Sequence, residues 1–168
     1  MPPRRLVLVR HAQAADAAAD RDRPLTQLGA RRAAAIGTWL EQAEFVPDRV
    51  LVSPARRAEQ TWGEAGATAA PDLRPTVDER IYENTVEALL EAIRDTPEEI
   101  RTVAVVGHNP SIAALAAVLD DGQGDPTARR DVQAGFPAGG VAVFTVPTSF
   151  DDISPGAATL YDFAVPAD

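Results

Sequence analysis

Thr102-Val-Ala-Val-Val-Gly-His-Asn-Pro-Ser111 holds the pattern on which the fold turns. Its apolar, mostly β-branched run has the composition of a strand buried on both faces of a mixed or parallel sheet. The chain leaves that run through Gly107 and His108, and a helical stretch follows from Ile112 to Leu119. Leu6-Val-Leu-Val9 repeats the arrangement upstream, passing at once into Arg10, His11 and Ala12. Arg49-Val-Leu-Val-Ser53 reads as a further strand, and Pro54 suits the first turn of a helix from Ala55 to about Ala65. Strand followed by helix is the recurring unit.

The remaining segments fit the same scheme. Thr26 can cap a helix in which Leu28, Ala35, Ile36, Trp39 and Leu40 fall near helical spacing. Asn84-Thr-Val-Glu87 has capping-box spacing and opens a helix through Leu89, Leu90 and Ile93. The stretch from Gly122 to Gly140, rich in Gly, Asp and Pro, reads as mostly loop, with Val141–Val146 and Ala158–Ala164 as the last strands. No repeat or linker interrupts residues 1–168. The expectation is a single α/β domain, a three-layer α/β/α sandwich whose mostly parallel central sheet gains antiparallel pairing late in the chain.

Composition removes whole classes of function. The 168 residues are 45% hydrophobic and 24% charged, an ordinary globular balance. Every one of the 16 basic residues is Arg, so a Walker-type lysine, a Schiff base and a pyridoxal phosphate anchor are excluded. The absence of cysteine excludes disulfides, thiolate metal sites and thiol nucleophiles. A net charge of −9 opposes nucleic acid and anionic membrane as partners. The four apolar residues before Arg10 are too few for a signal peptide, and the expected location is cytoplasmic.

The chain has two histidines, and each directly follows a strand. Ligands of open α/β sheets bind beyond the carboxyl ends of strands, so His11 and His108 stand where a site would form. Arg10, Arg56 and Arg57 reach the same edge if the strands are neighbours. Histidine is a common metal ligand, but flanking guanidinium groups repel a divalent cation and no His-x-x-Glu-His pattern is present. A tetrahedral dianion suits the cluster better, because Arg forks match phosphate oxygens and helix N-termini add N–H donors. No cofactor or metal is implied. Trp39 and Trp62 sit at apolar helix positions and read as core. Asp120-Asp121 and Asp151-Asp152 lack calcium-loop spacing and read as loop charges, and Ala14 to Ala19 reads as a loop near the site entrance.

These residues resemble the histidine phosphatases, the phosphoglycerate-mutase-like superfamily, and within it the SixA-like branch of phosphohistidine phosphatases. Arg10-His11-Ala12 resembles the family's Arg-His-Gly signature, with Ala in place of Gly. Arg23-Pro-Leu-Thr26-x-x-Gly29, Ser53-Pro54-x-x-Arg57-Ala58-x-Gln60-Thr61 and Gly107-His108-Asn109-Pro110 resemble its other motifs, in order, over about two thirds of the chain.

The resemblance implies phosphoryl transfer through a covalent phosphohistidine on His11, which attacks as a neutral imidazole while its other nitrogen donates to a backbone carbonyl. Arg10, Arg57 and a cationic His108 would hold phosphoryl oxygens, with Arg23 as a further contact and Arg56 solvated. Glu79, with Glu83 as the alternative, would be the general acid, or none is needed, because a protonated imidazole is a good leaving group. No long lid insertion is present, so an open site is expected. The substrate would be a phosphorylated protein carrying phosphohistidine. A small phosphate ester handled by the same residues is the alternative, and a phosphate- or phosphoprotein-binding module without turnover is a third reading.

Overall fold

The computed structural model describes residues 3–168. The strands are β1 (Arg4–Arg10), β2 (Arg49–Val52), β3 (Thr76–Val77), β4 (Thr102–Gly107), β5 (Val141–Val146) and β6 (Thr159–Ala164). The helices are α1 (Gln27–Gln42), α2 (Arg56–Ala69), α3 (Glu79–Glu83), α4 (Val86–Arg94), α5 (Ser111–Leu119) and α6 (Pro126–Ala134). The strands form one sheet in the order β3-β2-β4-β1-β5-β6. β1, β2, β3 and β4 pair in parallel, whereas β5 runs antiparallel to both β1 and β6.

The alternation of side chains along a strand explains the layers. In β1, Leu6 and Leu8 face one way and meet Ile81 of α3, Leu89 and Ile93 of α4, and Ile112 and Leu115 of α5. Val7 and Val9 face the other way, onto Ile36 and Leu40 of α1 and Trp62 and Ala65 of α2. β4 splits likewise, with Val103 and Val105 on the first face and Ala104 and Val106 on the second. Because both faces are covered, Leu6 to Val9 and Val103 to Val106 are all at most 1% exposed, and their sequences are continuously apolar rather than alternating.

Two expectations need correction. The stretch 122–140 is not loop throughout, since α6 occupies its middle: Asp125 caps it by accepting from the Ala128 N–H, Pro126 fills the first turn, and α6 packs against β6. The helix after residue 84 is capped by Thr85, which accepts from the Ala88 N–H, and not by Asn84. Asn84 instead ends α3 in the left-handed conformation, with φ of 63°. The short β3 and α3 carry too few residues to register as a period in the sequence.

Candidate active site

The site is built by strand register. Arg10 of β1 lies opposite Gly107 of β4, and Val52 of β2 lies opposite Val106 of β4. One residue further, the His11 N–H donates to the Gly107 carbonyl at 3.0 Å, and the Ser53 N–H donates to the Val106 carbonyl at 3.1 Å. The residues that follow three neighbouring strands therefore share one sheet edge. His11 and His108 are 8% and 4% exposed, and their ring centroids are 5.2 Å apart.

His11 Nδ1 lies 2.8 Å from the Ala12 carbonyl oxygen. A carbonyl only accepts, so Nδ1 holds the proton and Nε2 keeps the lone pair. Burial pushes the His11 pKa down to about 4, and the positive charges of Arg57, Arg10 and Arg23 push the same way against the Ala12 hydrogen bond. His108 is lowered to about 3, again chiefly by burial, then by His11, Arg57 and Arg10. The expectation of a cationic His108 is opposed here: enclosure and the guanidinium charges of Arg57 and Arg10 outweigh the Asp20 carboxylate and favour the neutral imidazole.

The guanidinium groups converge on the same place. Arg57, 6% exposed, donates through Nη1 to the Asp20 carbonyl at 2.8 Å and through Nη2 to Asp20 Oδ2 at 3.1 Å. Arg23 donates to the Ala15 carbonyl at 3.1 Å and approaches Asp20 Oδ1 at 3.4 Å. Arg10 Nη1 donates to the Phe136 carbonyl at 3.0 Å. Arg10 Nε, Arg57 Nε and His108 Nδ1 are buried without a hydrogen-bond partner. Buried polar groups are rarely left so, and an oxyanion in this ring of positive charge would supply the missing acceptors.

Two residues with no motif to mark them belong to the site. Asp20 holds Arg57 and Arg23, and its third partner is Tyr82, whose hydroxyl donates to Oδ2 at 2.6 Å. The Tyr82 hydrogen bond, then Arg57 and Arg23, hold the Asp20 carboxyl down at about 2. Tyr82 also stands edge-on to His108, with centroids 5.8 Å apart. Nothing in the Ala-rich approach to Asp20 signals this, because its partners Arg57 and Tyr82 are 37 and 62 residues away.

Glu79 is exposed and forms a two-pronged pair with Arg21, at 3.1 and 2.8 Å, which lowers its pKa. Glu83 is exposed at the end of α3. Arg56 is exposed as expected. The other motif residues hold the segment 12–26 against α1 and α2. Thr61 accepts from the Ala12 N–H at 3.0 Å and donates to the Arg57 carbonyl at 2.7 Å. Gln60 accepts from the Leu25 N–H at 2.8 Å, and Thr26 caps α1 at the Gly29 N–H. A Cβ on Gly29 would stand 2.0 Å from the Gln13 carbonyl oxygen, so only glycine allows this approach. A separate open groove of about 820 Å³ is lined among others by Arg21, Asp22, Leu25, Pro54 and Gln60, and by neither His11 nor His108.

Comparison with known proteins agrees with this chemistry. A family model for the histidine phosphatase superfamily, branch 1, matches residues 6–88. The phosphohistidine phosphatase SixA of Escherichia coli strain K12 is 38% identical over 128 residues, 71% of this chain and 76% of that protein. A structure named as the putative phosphohistidine phosphatase SixA from Nakamurella multipartitia superposes with a TM-score of 0.88 at 32% identity, over 100% of this chain and 99% of that one. The protein histidine phosphatase SixA in complex with tungstate superposes with a TM-score of 0.75 at 28% identity, over 95% of each chain.

Proposed function

Since this chain belongs to the histidine phosphatase superfamily, we propose that it hydrolyses phosphohistidine carried on a protein, by way of a phosphohistidine of its own. The observation that carries this reading is the neutral His11, its proton fixed on Nδ1 by Ala12 and its Nε2 lone pair left free among the guanidinium groups of Arg57 and Arg10. Nε2 attacks phosphorus, the P–N bond to the substrate imidazole breaks, and that imidazole leaves with the proton that made it a good leaving group. Water then attacks phosphorus, breaks the bond to Nε2 and releases phosphate. Arg10, Arg57, Arg23 and His108 hold the three non-bridging oxygens as charge builds on them, the step at which preorganised donors contribute most.

Choice of substrate follows from the carboxylates. An ester needs a proton on its leaving oxygen, yet Asp20 and Glu79 are both held ionised by their partners. A phosphoramidate needs no such acid. Rapid quench with a labelled phosphohistidine protein is expected to trap an acid-labile, base-stable phosphoenzyme, absent in His11→Ala, with turnover of small phosphate esters at least a hundredfold slower. A phosphoenzyme that survives His11→Ala would defeat the nucleophile, and faster ester turnover would defeat the substrate.

A further inference from the structure

Ser53 directly follows β2 and is completely buried. Its hydroxyl oxygen accepts the Ala55 N–H at 3.2 Å and lies 2.8 Å from His108 Nε2. Two placements of the shared proton fit that distance, and they have different consequences. If Nε2 carried the proton, the Ser53 oxygen would accept twice. The hydroxyl proton would then have no acceptor among the described residues, in a place closed to water, and His108 Nδ1 would offer a bare lone pair to any incoming oxyanion. If Ser53 donates to Nε2, the oxygen still accepts from Ala55, each of these groups is satisfied, and the proton of the neutral ring sits on Nδ1. That nitrogen is buried and has no partner.

We propose that Ser53 is a positioning residue that fixes His108 in the Nδ1–H form, so that a neutral imidazole acts as a hydrogen-bond donor to a phosphoryl oxygen. Positive charge on His108 is then unnecessary for binding. The arrangement also works against gaining it, since an imidazolium would need Nε2 to donate to Ser53 and would strand the hydroxyl proton. Burial, which keeps His108 neutral, acts in the same direction. The two histidines of the site become complementary: both carry their proton on Nδ1, but in His11 that proton is spent on Ala12 and Nε2 attacks, whereas in His108 Nε2 is spent on Ser53 and Nδ1 donates. The consequence for phosphate rests on the phosphatase reading, but the tautomer is a property of the resting protein.

The test is nitrogen-15 NMR of the full chain at pH 7. Only two histidines contribute, and His11→Ala assigns them. His108 is expected with Nδ1 protonated and Nε2 bare. Ser53→Ala is expected to move the proton toward Nε2, the form favoured by a free histidine side chain, and to weaken tungstate binding about tenfold by calorimetry. Ser53→Thr, which keeps the hydroxyl, is expected to restore both. An Nε2-protonated or doubly protonated His108 in the unaltered chain would overturn the proposal even if the variants failed to fold. Retention of the tautomer in a folded Ser53→Ala chain would overturn the role of Ser53. Unchanged tungstate affinity after the tautomer has switched would overturn the donor role. A chain with the expected tautomer that turns over no phosphohistidine would instead remove the proposed function and leave the tautomer standing.

Discussion

Asp20 presents the arginines of the site with a carboxylate before any phosphate arrives. Its Oδ2 and backbone carbonyl take both terminal nitrogens of Arg57, and its Oδ1 approaches Arg23. An incoming oxyanion competes with those contacts. The Asp20 side chain is about half exposed, so the pair is worth little, on the order of the 0.2–1 kcal/mol of solvent-accessible ion pairs. Asp20→Asn is therefore expected to tighten tungstate binding by roughly two- to fivefold, read by calorimetry; weaker binding would mean that Asp20 holds Arg57 in place rather than competing with the ligand. The contrast with His11 and His108 shows what a sequence can reveal at this scale. Each histidine follows a strand directly, so the position of the strand fixes the position of the imidazole. Asp20 and Tyr82 meet only because a 3-10 turn and α3 fold over the same sheet edge, a long-range contact with no local pattern.

Between elements, close packing decides which glycines matter. α1 and α2 cross at Gly37, where a Cβ would meet the Ala65 carbonyl oxygen at 2.2 Å. A single methyl group there must push apart two helices that share Ile36, Leu40, Trp62 and Ala65 with the sheet. Gly63, two residues before Ala65 on α2, has nothing within 4 Å of its Cβ position. Gly37→Ala is expected to lower stability by about 2 kcal/mol through overpacking, while Gly63→Ala raises it by about 0.5–1 kcal/mol through helix propensity. Urea unfolding of the two variants measures both, and equal effects would mean that the crossing relaxes freely. Strands β1, β4 and β5 were legible because burial on both faces demands continuous apolar runs. α6 was not, because its sequence Pro-Thr-Ala-Arg-Arg-Asp-Val-Gln-Ala buries only Ala128 fully, and the surrounding Gly and Asp residues overwhelm so weak a stripe. The signal that would have found it was local, the Asp125-Pro126 pair that caps and opens the helix.

For the molecule as a whole, keeping two imidazoles buried and uncharged carries a cost that depends on pH. Unfolded histidines bind protons near pH 6.5, whereas the folded ones bind them only near pH 4 at His11 and near pH 3 at His108, because burial and neighbouring positive charge oppose the cation. The unfolded state therefore holds more protons between these limits, and stability must fall as the solution is acidified through that window, with a slope approaching about 1.4 kcal/mol per pH unit for each histidine. The contribution is fully present above about pH 6.5 and is lost progressively below it, a loss on the order of a few kcal/mol by pH 4.5, against a typical total of about 5–15 kcal/mol. Asp20 acts in a separate window: its folded pKa of about 2 lies below its ordinary 3.8, so its contribution survives until the pH drops under about 4. The net charge of −9 works against the histidines, because acidification toward the pI of 4.7 relieves repulsion among the carboxylates. The histidine effect is isolated by comparing urea unfolding of the unaltered chain with that of a His11→Gln/His108→Gln chain at pH 7 and pH 5. The unaltered chain is expected to lose the more stability of the two, by about 2–4 kcal/mol. Parallel losses would show that the imidazoles already share the protonation behaviour of the unfolded state, and would remove the neutral, preorganised pair on which the attack by His11 depends.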